Sequence, residues 1–241
     1  MQMASDPSPA WAGALQRSAR VSLLAYRRPG AWSIGRDAHG TVHVAFKGTT
    51  RLADVPNVID VRAIERTGRH GAVHAGFLRR FAAVEDAVRK ATLRCLPAKN
   101  VTFTGHSMGG ALALFAAVTL LDDLRDAGVR NVQCHVFGTP RVATPEFASA
   151  AEDALGDGLW NVHVDGDIVP RLPTNPCFRH VGNVLEIRED DDGRPIAACA
   201  LDDGGECHAE MVPRSVDELM HGHSMVTYAR FLAGIVSQQR A

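Results

Sequence analysis

The chain has 241 residues, 46% of them hydrophobic and 22% charged, and a formal net charge of −1. That length supports one substantial core, so a single domain over residues 1–241 is expected. The near-neutral balance leaves no basic footprint for nucleic acid, and no apolar run is long enough to cross a bilayer.

Residues 1–9, Met-Gln-Met-Ala-Ser-Asp-Pro-Ser-Pro, hold no basic segment leading into an apolar core. No signal peptide is read there, and the cytoplasm is the expected compartment unless a leader was removed or export takes another route. Trp11, Leu15, Val21 and Leu24 at near-helical spacing predict a helix over 10–26, which Pro29-Gly30 breaks. Residues 32–36 and 41–46 alternate as strands around Asp37-Ala-His-Gly40, a hairpin signal. Residues 52–64 mix apolar side chains with acids around Pro56 and take no assignment. A helix over 76–96 follows, with Phe77, Phe81, Val84 and Val88 as its apolar stripe.

Strand 101–104 precedes a helix over 108–126, and strand 131–137 ends in Gly138-Thr-Pro-Arg141. Pro145 suits the first turn of a short helix over 145–155, and strand 159–164 comes next. Residues 184–188 and 195–199 read as a hairpin across an acidic turn. The last helix covers 224–238, with Met225, Tyr228, Phe231, Leu232 and Ile235 on one face. Strands alternating with helices predict an α/β fold whose mainly parallel sheet is covered on both faces. The five cysteines are odd in number and scattered. Cys134 lies in an apolar strand and reads as a small buried hydrophobe. Cys199 and Cys207 flank an acidic turn and could pair in an oxidising compartment, although reduced thiols are the plainer reading.

Candidate chemistry centres on residues 101–113, where a strand runs into Gly105-His-Ser107-Met-Gly109 and then into an alanine- and leucine-rich helix. Gly-x-Ser-x-Gly alone is weak, but strand before and helix after make it a nucleophile elbow, a tight turn that exposes the serine. The N–H of Met108 then starts a helix and can face a developing oxyanion. A serine needs a base, and the base needs an acid to orient it; in this arrangement the acid and then the histidine follow the serine along the chain. Strand 159–164 runs into Asp165 and Asp167, of which Asp167 precedes a sharp Ile-Val-Pro170 turn and Asp165 is the alternative. Asp190-Asp191-Asp192 reads as a solvated hairpin tip rather than a calcium loop. His221 and His223 stand just before the last helix as candidate bases, and a zinc reading of the pair has no matching ligand cluster. His180 reads as a structural hydrogen-bonding residue. Phe46-Lys-Gly-Thr49 ends an early strand, so Thr49 is the natural second oxyanion donor, against a plain turn after a strand.

Together these residues resemble the class 3 (fungal-type) lipase family of α/β-hydrolases. The matching stretches, in order, are Ala45-Phe-Lys-Gly-Thr49, Val73-His-Ala-Gly-Phe77, Thr104-Gly-His-Ser107-Met-Gly-Gly-Ala-Leu-Ala113, Phe137-Gly-Thr-Pro-Arg-Val142, Asp167-Ile-Val-Pro-Arg-Leu-Pro173 and His223-Ser-Met-Val-Thr-Tyr228. The resemblance implies Ser107, Asp167 and His223 as a catalytic triad, with Thr49 and Met108 as the oxyanion hole. It implies hydrolysis of acyl esters, glycerolipids above all, through an acyl-enzyme, with no metal or organic cofactor and with transient contact to a lipid surface. Phospholipase A-type and soluble, feruloyl-type ester hydrolysis are the alternatives. A catalytically silent hydrolase-like binding protein is the least favoured, since no triad member is missing. One departure concerns residues 51–64, where family lipases carry an amphipathic lid with a tryptophan. This chain has Pro56 and no aromatic residue there, so interfacial activation does not carry over from the resemblance.

Overall fold

The structure, a computed structural model, describes residues 9–48, 63–65, 71–200 and 222–238, with the backbone alone at 9, 10, 63–65 and 198–200. Helix α1 (Pro9–Ala25) leads into a hairpin of β1 (Trp32–Arg36) and β2 (Val42–Phe46), with Trp32 opposite Phe46. Strands β3 (Ala63–Glu65) and β4 (Ala72–His74) pair antiparallel, and α2 (Ala75–Ala82) and α3 (Glu85–Arg94) follow. Then come β5 (Asn100–His106), α4 (Met108–Thr119), α5 (Leu121–Asp126), β6 (Asn131–Phe137), α6 (Pro145–Leu155) and β7 (Leu159–Val164). The hairpin of β8 (Asn183–Glu189) and β9 (Pro195–Ala200) precedes the last described helix, α7 (Met225–Gln238).

The main sheet has the order β1-β2-β5-β6-β7-β8-β9. Pairings from β2 through β8 are parallel, and the antiparallel β1 and β9 close its edges. Because successive side chains of a strand point to opposite faces, the same strands feed two cores. Val101, Phe103, Cys134 and Val136 pack under α2, α4 and α6 with Phe77, Phe81, Phe115 and Phe147. Phe137, Val162, Val164, Leu185 and Ile187 pack under α1 and α7 with Leu15, Tyr228 and Leu232. Cys134 is fully buried in the first core, as its strand context predicts. Every residue of α4 from Gly109 to Val118 is buried, as a helix that is apolar all round must be.

Two helices expected to be continuous are each split. The run 76–96 turns at Ala83 and Val84, whose φ of −123° leaves the helical range, and 108–126 turns at Leu120. Each second piece opens with acids, Glu85 and Asp86 or Asp122 and Asp123, where a new helix N-terminus favours negative charge. Periodicity alone does not see such a break, because the apolar stripe continues across it. The strand pair β3–β4 has three residues a side, too few for alternation to register.

The α1 face of the sheet is less dry than the other. Ser18 Oγ lies 2.8 Å from His135 Nδ1, and Ser22 Oγ lies 2.9 Å from Thr104 Oγ1, which itself donates to the His135 carbonyl at 2.7 Å. All four side chains are buried, so each polar group must find its partner inside the protein.

Candidate active site

β5 stops at His106 and α4 starts at Met108, so the whole reversal falls on Ser107, at φ 58° and ψ −130°. Among the described residues it is the only non-glycine with positive φ. A non-glycine held there costs about 1–3 kcal/mol, so the surrounding structure must impose it. Ser107 N–H donates to the Phe137 carbonyl at 2.9 Å, and the Ser107 carbonyl accepts from Gly110 N–H at 2.9 Å. The flanking glycines are fixed by crowding. A Cβ on Gly105 would lie 2.2 Å from the Gly109 carbonyl oxygen, and one on Gly109 would lie 2.4 Å from the Phe46 carbonyl oxygen. The elbow is thus wedged against the end of β2, the strand that leads to Thr49. Thr49 itself lies outside the described residues, as does most of the segment 51–64. Met108 is the first residue of α4, where backbone N–H groups have no acceptor within the helix.

Asp167 follows β7 and is almost fully buried. Three donors converge on its carboxylate. His223 Nδ1 lies 2.9 and 3.0 Å from the two oxygens, the Tyr228 hydroxyl donates to Oδ2 at 2.6 Å, and Val169 N–H donates to Oδ1 at 2.9 Å. With Nδ1–H donated to the acid, His223 keeps Nε2 as an acceptor. The ring of His223 packs on that of His106, the residue before Ser107, with centroids 4.5 Å apart. Asp165, the alternative acid, is exposed and accepts from Gly166 N–H. His180 donates from Nε2 to the Pro170 carbonyl at 2.7 Å and accepts at Nδ1 from Asn161 at 3.0 Å, so it ties the acid loop back to β7. His221, His208 and Cys207 lie outside the described residues, and the side chain of Cys199 is not described. Asp190 Oδ1 accepts from the N–H groups of Asp192 and Arg194, which makes that acidic run a capped turn.

Sequence reasoning missed three side chains here. Tyr228 reads as one more apolar residue of the last helix, yet its hydroxyl accepts from Val164 N–H and donates to Asp167. Burial first, and then the neighbouring carboxylate, push this phenol well above its usual range, so it remains a donor. Its spacing of five residues from His223 was the available signal. His106 and Tyr26 are the other two. They lie 2.8 Å apart, and only the position of His106 inside the elbow could have drawn notice.

Burial holds three histidines neutral. His106 falls well below its usual range through desolvation and then the proximity of His223. His135 falls to about 3 through desolvation and then His43 and Arg17. His163 falls well below its usual range through desolvation and then His180, Arg141 and Arg171. Unfolding would return all three to ordinary values near 6.5. The unfolded chain therefore binds protons below that pH that the folded chain refuses. Stability is fully present above pH 7 and should fall as pH drops through 6.5, by up to about 1.4 kcal/mol per pH unit for each ring. Urea unfolding midpoints measured between pH 7.5 and 5 should decline accordingly; a flat series would contradict the burial of these rings as neutral groups.

The mainly parallel sheet with helices on both faces and a strand–Ser107–helix elbow defines the α/β-hydrolase fold. Residues 43–176 match the family described as lipase (class 3), and the chain belongs to that family. It is 31% identical over 157 residues to a secreted mono- and diacylglycerol lipase of Malassezia globosa, covering 60% of this chain and 51% of the relative. A lipase of Rhizomucor miehei is 27% identical over 183 residues, with 73% and 50% covered. The chain thus spans about half the length of these curated relatives. A structure of the Rhizomucor miehei triacylglyceride lipase superposes with a TM-score of 0.69 at 22% identity, over 91% of this chain and 97% of that one. The cytoplasmic expectation is corrected by these relatives, since the Malassezia globosa lipase is secreted. Residues 1–9 misled because a missing leader pattern in one sequence carries no information about compartment.

Proposed function

We propose that this protein hydrolyses carboxylic esters of acylglycerol type, with Ser107 as nucleophile, His223 as general base and Asp167 as the group that orients it. One observation carries the reading: a buried carboxylate receives Nδ1–H of a histidine whose ring lies against the residue preceding a serine held at positive φ. His223 Nε2 takes the Ser107 proton as Oγ attacks the ester carbonyl, and the N–H groups of Met108 and Thr49 receive the oxyanion. The imidazolium then gives its proton to the leaving alcohol. Water, deprotonated by His223 in turn, releases the acid and restores the serine. Asp167 stays ionised throughout and stabilises the imidazolium that forms between the two steps. Family membership and the name of the Malassezia globosa relative support an acylglycerol as substrate, with contact to a lipid surface during turnover.

The test is a series of p-nitrophenyl esters of rising acyl length, together with mono-, di- and triacylglycerols, run alongside labelling by a fluorophosphonate. Hydrolysis of the esters, with one fluorophosphonate bound at Ser107, is the expected result. A protein that turns over no ester and takes up no fluorophosphonate would not be a hydrolase of this kind.

A further inference from the structure

Tyr26, immediately after α1, reaches the site from the opposite end of the chain. Its phenolic oxygen lies 3.1 Å from the backbone nitrogen of Gly48 and 2.8 Å from Nδ1 of His106. The N–H of Gly48 can only donate, so the phenol accepts there. The phenol's own proton then goes to His106 Nδ1, which makes His106 the tautomer with its hydrogen on Nε2. Burial pushes Tyr26 up to about 12, so the hydroxyl keeps the proton this arrangement needs. His106 Nε2 makes no hydrogen bond of standard geometry among the described residues, although the backbone of His223 interacts with the ring, so the 2.8 Å contact at Nδ1 is the firmer of its two anchors.

The fit around Gly48 is tight. A Cβ there would lie 2.3 Å from the Tyr26 hydroxyl, 2.6 Å from the His106 carbonyl oxygen and 3.1 Å from Ser107 Cβ. The backbone just before Thr49 is thus clasped between the phenol and the elbow. On its other side His106 lies against His223, at a ring angle of 32°, and edge-on to Tyr228 with centroids 5.6 Å apart. One hydroxyl therefore touches the strand end that leads to the oxyanion donor and the ring that backs the base.

We propose that Tyr26 and His106 are positioning residues, which set the strand end at Gly48 and the ring of His223 to a common reference; this rests on reading Ser107 and His223 as nucleophile and base. Neither residue touches the reacting atoms. Their effect is on alignment: oxyanion donor and base come from distant segments, and a displacement of about 1 Å between such groups can lower a rate by up to about 100-fold.

Tyr26→Phe keeps the ring and removes the hydroxyl. With p-nitrophenyl butyrate, kcat is expected to fall about tenfold while KM stays within about twofold, the pattern of an interaction made in the transition state. His106→Phe keeps an aromatic face against His223 but removes the acceptor, and a similar loss is expected. The double variant should be no worse than the poorer single one, because both remove the same contact. Nitrogen-15 NMR gives a readout that needs no turnover: His106 should carry its hydrogen on Nε2 in the wild type and lose that preference in Tyr26→Phe. An active wild type whose folded Tyr26→Phe variant keeps full kcat would overturn the positioning role and leave the hydrolase reading standing. So would additive losses in the double variant, or a His106 hydrogen on Nδ1. A wild type that hydrolyses no ester would sink the hydrolase reading, and the positioning role with it.

Discussion

Ser107→Ala is expected to lower kcat for ester hydrolysis on the order of 10⁴- to 10⁶-fold while leaving KM nearly unchanged. Removing Oγ removes the covalent step, and what survives is binding plus oxyanion stabilisation. Fluorophosphonate labelling should disappear with it. Ser107→Gly should be equally inactive, yet more stable. Alanine keeps a Cβ at φ 58° and ψ −130°, whereas glycine enters that region freely. Relief of about 1–3 kcal/mol of backbone strain is partly offset by roughly 0.4–1 kcal/mol from the freer unfolded chain. The net is about 1 kcal/mol in favour of glycine, or about 2–4 °C in Tm for a chain of this size. Calorimetry of the two variants side by side decides it: a glycine variant melting at or below the alanine variant would mean that the elbow stores no strain.

Asp167→Asn should be nearly as damaging, with kcat down on the order of 10⁴-fold. Both carboxylate oxygens already accept, Oδ1 from Val169 N–H and Oδ2 from Tyr228, and His223 Nδ1 lies within reach of each. An amide nitrogen must replace one of them, so a donor would face a donor. With the amide oxygen in the Oδ1 place its NH₂ group faces the Tyr228 hydroxyl, and in the Oδ2 place it faces Val169 N–H. In either orientation the NH₂ also lies against His223 Nδ1, which favours the tautomer that offers the wrong nitrogen to Ser107. The loss of charge-assisted bonds at a buried site should also cost about 1–3 kcal/mol of stability. Rates and urea midpoints of the same preparation test both halves, and a variant within tenfold of wild type would rule out Asp167 as the orienting acid.

The sheet was legible because its strands alternate cleanly and its turns carry glycine and proline. Residues 131–137 and 159–164 match the observed β6 and β7 at both ends. The elbow was legible for a different reason: its geometry admits so few residue types that the composition betrays the shape. What stayed hidden was polar chemistry inside apolar patterns. Tyr228 sits on the apolar stripe of α7, and periodicity records where a side chain points but not what its hydroxyl meets. Ser18 and Ser22 look like filler in an alanine-rich helix until His135 and Thr104 are seen beneath them. The helix breaks at Val84 and Leu120 were hidden because the stripe runs through them. Between Asp165 and Asp167 the residues alone left both open and the family resemblance favoured Asp167; the fold adds that Asp165 is exposed and Asp167 buried.

The polar contacts of α1 also act as a gauge. Ser18, Ser22 and Tyr26 recur every fourth residue, a rise of about 6 Å on a helix, close to the 6.6–6.8 Å that separates alternate residues on a strand. Thr104 and His106 are such alternate residues of β5, and His135 is the neighbour of Thr104 across the sheet. The helix is therefore indexed to the strands like a rack to a pinion, tooth by tooth, down to the residue that clasps Gly48. One residue added anywhere between Ser18 and Tyr26 would turn the phenol by about 100° and disengage it. A helix that contributes nothing to the reacting atoms is thereby held in a fixed register to the elbow it faces.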